Sequence, residues 1–504
     1  MTVLSAPTFV LGWQRVARLK AAVALLTTAC LLTALAGRLA YLVRPFDHDA
    51  AMFVYLGKSV CDGQRFGHDI IDNKFPSVGL MTSLAWRAFG TCWPAYVLLQ
   101  TSLALSAGWM LARSAARNVG EQARLPTLLA AVVYLNFSVG VFGGFQLETL
   151  QSFFAILAAC AAMEAIRLRW MADAFVVGLA AGCAAMLKPT GLAPLGAFAV
   201  VMLVLRARPL APFARIAAAT VLGLSIPAAT VIIYLVSTDT LRDLPELYRQ
   251  ISLYASQTPL VWHEDVLKPI TVLVLAGFAI VVRGWVQRRD ATDPWPAHAQ
   301  VIFAIVWLVL ELLGAVMQRR MYAYHFLPIA APAALLFGMI PRRNDPVRLT
   351  AALAPVMILS LIGSMEVLKH PQPTVLPVSR YLLERALPGD RVWQDSMPRL
   401  LLETGLRPGA RYPIMFIFGN HDTAALEYTP LLLGDFEQRR PHYIILPTDV
   451  EAKLRVETSQ CLHLMRSPVR AENFRHAWRQ IEQYVKDRYT PESQIGQETI
   501  WRRR

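Results

Sequence analysis

The chain has 504 residues, of which 55% are hydrophobic and 17% are charged, and its mean hydropathy is +0.41. In soluble domains about a quarter of all residues are charged, so this composition excludes an ordinary soluble protein. The formal net charge of +14 does not indicate nucleic-acid binding, because the basic residues cluster in short segments between apolar runs.

Apolar runs that suit a bilayer recur through the first 365 residues. We expect about eleven membrane-spanning helices. The number is approximate because some runs are short and their boundaries are loose. The candidate runs are 21–43, 94–112, 125–145, 150–166, 171–187, 191–205, 216–236, 266–282, 301–317, 326–340 and 349–364. This pattern predicts a polytopic α-helical membrane protein.

The arginines predict which way the chain crosses the membrane. If the N-terminus is cytoplasmic, most of the basic segments between runs fall on the cytoplasmic side, as the positive-inside rule requires. An odd number of spans then places the region after the last run on the opposite side. We therefore expect a multi-pass protein of the bacterial inner membrane, with its N-terminus cytoplasmic and its C-terminal part periplasmic.

The first apolar run has a second interpretation, as a cleavable signal peptide. Residues 34–40, "ALAGRLA", loosely match a cleavage site. In both interpretations the loop 44–93 that follows lies outside the cytoplasm.

The start of that loop is rich in carboxylates. The stretch "RPFDHDAAMFVYLGKSVCDGQRFGHDIIDNKFPS" holds five aspartates and two histidines directly after the first run. The segments "DAAMFVYLGKSV" and "SVGLMTSLAWRAFG" have the apolar spacing of amphipathic helices lying in the membrane interface. We expect Asp49 to cap the first of these helices.

Three carboxylates form the candidate reactive centre. Asp47 and Asp49 directly follow a span, and Glu148 is an isolated acid between two later spans. Their ordinary role would be helix capping and loop solvation. Polar groups at membrane depth are tolerated mainly where they line a cavity, however, so we expect these loops to converge on one cavity.

A divalent-metal site is an alternative use of the same loop. Asp47, Asp49, His68, Asp69 and Asp72 are residue types that bind hard cations or zinc. Their spacing matches no known metal motif. We therefore predict no required cofactor and leave a divalent metal as the alternative.

Two cysteines lie in the same outer loop. Cys61 and Cys92 flank the two predicted helices, and the oxidising bacterial periplasm would permit a bridge between them. Such a bridge would close a loop of roughly thirty residues and stabilise the protein by about 2–4 kcal/mol. The alternative is a pair of free thiols.

The remaining segment, 366–504, is predicted to be a soluble α/β domain. "PGDRVWQ" and "RPHYIILPT" read as short buried strands introduced by turn residues. "PRLLLETGL", "TAALEYTPLLLGDF" and "AENFRHAWRQIEQYVKDRY" have helical periodicity. The chain thus divides into a membrane domain, 1–365, and this periplasmic domain.

Taken in order, these motifs resemble the bacterial membrane glycosyltransferases of the GT-C fold, the group that contains the protein O-mannosyltransferases and the lipid A aminoarabinose transferase. The family has an acidic motif after the first span, then an aromatic residue, a glycine and a stretch ending in Lys-x-Pro. The corresponding segments here are "DHDAAMFVYLGKSVCDGQRFGHDIIDNKFPSVGL", "LETLQSFFAILAA", "GLAAGCAAMLKPTGL", "YAYHFLPIAAPAALL", "PGDRVW", "RPHYIIL" and "YVKDRY". One departure is that many members have Asp-Glu where this chain has Asp49-Ala50.

The resemblance implies an inverting transfer of a sugar from a polyprenyl-phosphate donor to an acceptor hydroxyl. Asp49 would be the general base, with Asp47 supporting it and Glu148 facing it across the cavity. Cations and aromatic residues would hold the donor phosphate: Lys74, Lys188, Arg319, Arg320, Tyr324 and His325. The alternative role of Arg319 and Arg320 is snorkelling to the membrane interface. Tyr55 and Asp72 would bind substrate. The expected partners are the lipid-linked donor, the acceptor and membrane lipid, without nucleic acid.

The alternative function is a flippase or transporter for lipid-linked sugars, with carboxylates as a proton relay. Such proteins usually carry acids within their spans. Here Glu311 alone lies near the middle of a predicted span, and the other acids concentrate in the outer loops. This distribution favours the enzyme.

Overall fold

The computed structural model describes residues 6–72, 74–137, 144–168, 170–204, 210–257, 295–318, 323–339, 346–369, 371–419, 421–449 and 467–504. The predicted span 266–282 lies outside these described residues, as do Arg319 and Arg320.

The first part of the chain is helical. Its helices are α1 (Ala6–Leu39), α2 (His48–Cys61), α3 (Pro76–Phe89), α4 (Trp93–Asn118), α5 (Arg124–Phe137), α6 (Leu147–Leu168), α7 (Met171–Leu187), α8 (Ala193–Val204), α9 (Leu210–Ser237), α10 (Leu244–Gln257), α11 (Trp295–Met317), α12 (Ala330–Met339) and α13 (Pro346–Lys369). Short 3₁₀ turns join several of them, among them Ala40–Val43, Pro189–Leu192 and Ala323–Ile329.

Within the described ranges, five helices are long and apolar enough to cross a membrane: Lys20–Val43, Trp93–Asn118, Leu147–Leu168, Phe213–Ser237 and His298–Met317. Shorter apolar helices are Met171–Leu187, Pro189–Val204 and Tyr324–Met339. The chain is thus a multi-pass membrane protein. The total of eleven spans and the orientation stay predictions.

Two of these helices approach each other through glycine. An added Cβ on Gly178 of α7 would collide with the Thr220 carbonyl of α9, and one on Gly223 of α9 would collide with the Phe175 carbonyl of α7. Gly178 and Gly182 form a Gly-x₃-Gly pair, which lets membrane helices pack backbone to backbone.

The loop 44–93, which the sequence predicts to be an outer loop, folds into the antiparallel pair α2 and α3. α3 buries Val78 and Thr82, while its Leu84 is 69% exposed. The two predicted helices are therefore present. The predicted cap is wrong, however: Asp47 caps α2 by accepting a hydrogen bond from the Ala50 amide, and Asp49 lies in the first turn.

The C-terminal part is a small α/β unit, as predicted from its strand and helix patterns. Its elements are α14 (Pro377–Arg385), β1 (Arg391–Gln394), α15 (Pro398–Thr404), β2 (Arg407–Pro408), α16 (Ala424–Arg439), β3 (Tyr443–Pro447), α17 (Pro468–Arg488), β4 (Tyr489–Ile495) and β5 (Glu498–Arg503). The strand order is β2-β1-β3-β5-β4, with β1 parallel to its neighbours β2 and β3 and with β5 antiparallel to its neighbours β3 and β4. The closing β4–β5 hairpin was not predicted from the sequence.

Gly57 sets the spacing between α2 and α3. A Cβ on Gly57 would lie 2.5 Å from the Thr82 carbonyl carbon, which is backbone and cannot turn aside. We therefore expect Gly57→Ala to push the helices apart and to lower the free energy of unfolding by about 1–3 kcal/mol. Thermal unfolding of the detergent-purified variant measures this change.

Gly434→Ala is the matched control. Gly434 also lies within a helix, α16, but a Cβ there would meet nothing within 4 Å. Because alanine favours helix over glycine by about 1 kcal/mol, this variant should be as stable as the wild type or more so. Equal losses in the two variants would contradict the close-contact explanation.

Candidate active site

A strained turn delivers the first carboxylate. Phe46 has φ of +25°, a value that L-residues rarely adopt. Its ring packs on Trp93 and Tyr96, with centroid distances of 4.9 and 5.9 Å. The Trp93 indole donates to the Tyr41 carbonyl at 2.7 Å. This aromatic packing holds the backbone in the unusual conformation immediately before Asp47.

Asp47 is held by two backbone amides. Its Oδ1 accepts from Ala50 N at 2.8 Å, and its carboxylate also accepts from the Gly144 amide. Burial raises the pKa of Asp47 to about 7, against the opposing effect of these hydrogen bonds. The negative charge of Asp49 raises the pKa further, and Arg44 lowers it. Asp47 is therefore a carboxylate that gains and loses its proton near neutral pH.

Glu148 opens α6 and is 2% exposed. It forms an ion pair with Lys188, which lies between α7 and α8. The other oxygen, Oε2, is buried and has no hydrogen-bond partner among the described residues. A buried carboxylate requires such a countercharge, because desolvation of an unpaired charge costs several kcal/mol.

Lys188 is the centre of the second half of the site. Besides Glu148, its Nζ donates to Gln318 Oε1 at 3.3 Å and lies 5.6 Å from the centre of the Tyr324 ring. Tyr324 in turn contacts His325 edge to face, with centroids 4.7 Å apart. The structure thus brings together four of the residues predicted from separate segments. Gln318 was not predicted, since its only signal was its place beside Arg319.

Lys74 is arranged in the same way. Its Nζ lies 3.0 Å from Asp72 Oδ1 and 5.6 Å from the centre of the Phe53 ring. Shortly afterwards, Ser77 at the start of α3 donates to the Met186 carbonyl, two residues before Lys188. The outer loop and the end of α7 are therefore in direct contact, and each contributes a lysine paired with an acid and an aromatic ring.

The C-terminal domain holds this part of the loop. The Ile71 amide donates to the Arg411 carbonyl at 2.9 Å, and Arg439 donates to the Asp69 carbonyl at 3.3 Å. Arg411 is itself fixed by a 2.7 Å ion pair with the buried Asp435. These bonds anchor the backbone immediately before Asp72, so the C-terminal domain helps to position the site.

The candidate metal ligands are used differently. His68 and Asp69 both bind Arg65. Burial opposes ionisation of Asp69, but hydrogen bonds from Arg65 outweigh it and hold the pKa of Asp69 below its usual range. Asp47 caps α2 and Asp72 pairs with Lys74. Across the described residues, no group of three or more His, Cys, Asp or Glu side chains is placed to hold a metal ion.

The structure also describes the surroundings of the two cysteines of the loop and of Tyr55. Cys61 and Cys92 are both free, so the predicted disulfide is not formed in the structure, and the Cys61 thiol instead contacts the Ser83 carbonyl at 3.6 Å. Tyr55 is 3% exposed, and burial raises its pKa to about 12. Its role in substrate binding stays a prediction.

Comparison with solved structures identifies the fold. The chain is similar to ArnT from Cupriavidus metallidurans bound to undecaprenyl phosphate, with 12% identity, a TM-score of 0.59 and coverage of 95% of this chain and 97% of that one. The apo state of the same ArnT has 14% identity and a TM-score of 0.59, with coverage of 99% of this chain and 98% of that one. The Archaeoglobus fulgidus oligosaccharyltransferase tethered with an acceptor peptide has 12% identity and a TM-score of 0.53, with coverage of 92% of this chain and 72% of that one.

These neighbours are GT-C glycosyltransferases, and the chain has the GT-C fold. No family model matches its sequence, and no curated protein matches it either. The likeness is therefore one of fold, carried by helix packing rather than by residue identity.

The Glu148–Lys188 pair yields a stability prediction. Lys188→Met leaves a buried carboxylate without its countercharge, which should cost about 3–5 kcal/mol of unfolding free energy. The double variant Glu148→Gln with Lys188→Met removes both charges and should recover most of that loss. Thermal unfolding of the single and double variants measures both effects. If the losses of unfolding free energy in Lys188→Met and in Glu148→Gln simply add up in the double variant, the two side chains do not interact.

Proposed function

We propose that this chain is an inverting glycosyltransferase that moves a sugar from a polyprenyl-phosphate donor to an acceptor hydroxyl at the periplasmic face of the inner membrane. The observation that carries the proposal is a GT-C fold in which Asp47 accepts a backbone hydrogen bond and two lysines are each paired with an acid. The bound lipid of the similar ArnT is undecaprenyl phosphate.

Asp47 is our candidate for the general base. A base works best when its pKa lies near the operating pH, and burial together with the neighbouring Asp49 gives Asp47 that property. The acceptor hydroxyl would transfer its proton to the Asp47 carboxylate as its oxygen attacks the anomeric carbon. The sequence favoured Asp49 in this role with Asp47 supporting, and Asp49 stays the alternative.

The leaving group is a polyprenyl phosphate, whose charge grows as the glycosidic bond breaks. Lys74 and Lys188 would stabilise this charge through charge-assisted hydrogen bonds. In the structure Asp72 and Glu148 balance these positive charges and hold both amines in place. Arg319 and Arg320, directly after Gln318, would add to the same phosphate site.

A transporter of lipid-linked sugars is the second candidate function. Glu311 favours it, because this carboxylate is buried within the span His298–Met317 and accepts a hydrogen bond from the Trp307 indole at 3.0 Å. Buried acids within spans are typical of proton relays. The concentration of paired charges at the outer loop still favours the enzyme.

A transfer assay tests the proposed reaction. Purified protein incubated with a labelled polyprenyl-phosphate sugar and an envelope extract as the acceptor source should release free polyprenyl phosphate and label an acceptor. Movement of intact donor across a vesicle membrane, without release of polyprenyl phosphate, would support the transporter instead. Mass spectrometry of lipid A, glycans and proteins from a deletion strain would identify the acceptor.

The base assignment yields a pH prediction. Asp47 must be ionised to accept the proton, so the rate should fall as the pH drops below about 7. Asp47→Asn retains the capacity to cap α2 but cannot act as a base, so turnover should fall by about 10²–10⁴-fold while donor binding changes little. Initial rates across about pH 5–9 for the wild type, Asp47→Asn and Asp49→Asn measure the loss of turnover and its pH dependence.

Asp49→Asn is the matched comparison. It removes the negative charge that helps to raise the Asp47 pKa, so the acid limb of its profile should move to lower pH while activity above pH 7 is retained. If Asp49→Asn is inactive at every pH while Asp47→Asn is active, the base is Asp49.

A further inference from the structure

Arg38 is a buried cation near the end of α1. It is 1% exposed. Its guanidinium donates to Asn136 Oδ1 at 2.8 Å, to Gln100 Oε1 at 3.3 Å and to the Leu135 carbonyl at 3.3 Å. Within the described part of the chain, all of these hydrogen-bond acceptors are neutral. Arginine suits this position because its five donors in a fixed plane can serve three acceptors on two other helices at once.

The contacts with Leu135 and Asn136 cap the end of α5. Leu135 is among the last residues of that helix, whose final carbonyls have no partner within the helix. A positive charge placed there also complements the negative end of the helix dipole. Arg38 therefore ties the end of α5 to α1.

Gln100 of α4 connects this cap to the start of α6. Its amide oxygen accepts from Arg38, and its amide nitrogen donates to the Gln146 carbonyl at 2.7 Å. The same carbonyl accepts from the Thr149 amide in the first turn of α6. Arg38 and Gln100 thus hold both ends of the connection between α5 and α6.

This connection supplies contacts to both halves of the candidate site. The Gly144 amide donates to the Asp47 carboxylate, and Gly144 is so close to the Trp93 ring that a Cβ would collide with it. Two residues after Gln146, Glu148 pairs with Lys188. The segment 144–148 therefore spans the distance between the two acids.

We propose that Arg38 and Gln100 are positioning residues for the transfer reaction, which fix the separation of Asp47 and Glu148 by tying the end of α5 to the start of α6. This inference rests on the proposed function. Neither residue needs to contact the substrate, since each acts through the backbone of the segment 144–148.

The decisive variant is Gln100→Glu. A carboxylate still accepts from Arg38, and more strongly, but it cannot donate to the Gln146 carbonyl. The protein should therefore melt at the wild-type temperature or above it, while turnover falls by about 10–100-fold, as expected when a reacting group is displaced by about 1 Å. Affinity for undecaprenyl phosphate should be unchanged. A purely structural role would instead make activity follow stability.

Gln300→Leu is the matched control. Gln300 is equally buried and donates to a backbone carbonyl, that of Met163, at 3.1 Å. Met163 also lies on α6, but near its other end, about 20 Å along the helix from Glu148. Its loss should lower the melting temperature without a specific loss of turnover. Should Gln100→Glu fail to fold, Gln100→Leu in a detergent that retains the folded state provides the same comparison with Gln300→Leu.

Hydrogen exchange separates this inference from the proposed function. Amides of residues 144–150 should exchange faster in Gln100→Glu than in the wild type, and at the wild-type rate in Gln300→Leu. Unchanged exchange together with unchanged turnover in Gln100→Glu would overturn the proposal. If the wild-type protein releases no polyprenyl phosphate, the proposed function fails, and the exchange rates alone decide whether Gln100 holds this segment.

Discussion

Charges buried at the edge of a bilayer need partners, because an unpaired charge removed from water costs several kcal/mol. The structure meets this constraint differently at each acid. Asp47 accepts hydrogen bonds from two backbone amides. Glu148 forms an ion pair with Lys188, and Asp72 forms one with Lys74. In each arrangement the partner holds a charged side chain in a place where a substrate could also bind it. The contacts that make the burial of these charges possible are therefore the contacts that would serve the proposed reaction.

The site depends on elements that carry none of its charges. The strained Phe46 is held by Trp93 and Tyr96, and the backbone before Asp72 is held by the C-terminal domain through Arg411. Positioning by rigid neighbours would suit the proposed transfer reaction, since a general base contributes only when its geometry is maintained. The C-terminal domain adds its hydrogen bonds to the one that the loop makes with α7 through Ser77 and Met186.

The fold and the chemistry rest on different kinds of support. Similarity to ArnT and to the archaeal oligosaccharyltransferase at 12% identity shows how the helices are arranged. A shared fold does not determine the substrate, because pocket residues vary on a common scaffold. In the proposed function, sugar and acceptor specificity would come from the side chains around the reacting groups, of which Lys74, Lys188 and Tyr324 are the described candidates.

The sequence by itself determined the features that depend on neighbouring residues. Apolar runs predicted helices such as 171–187, a short apolar run introduced by turn residues predicted the strand Tyr443–Pro447, and the aspartates after the first span marked the loop 44–93. These patterns are local, since helices and strands follow from the spacing of apolar residues along the chain. The β4–β5 hairpin escaped prediction because its strands are mostly polar and lack that spacing.

Only the tertiary structure decided which groups meet. Asp47, and not the predicted Asp49, caps α2, because the helix begins one residue after Asp47, directly beyond the turn at Phe46. The pairing of Glu148 with Lys188 joins residues 40 positions apart, and Arg38 reaches Asn136 across 98 positions. No local pattern encodes such contacts, because they depend on how helices pack against one another, and the raised pKa of Asp47 follows from that packing.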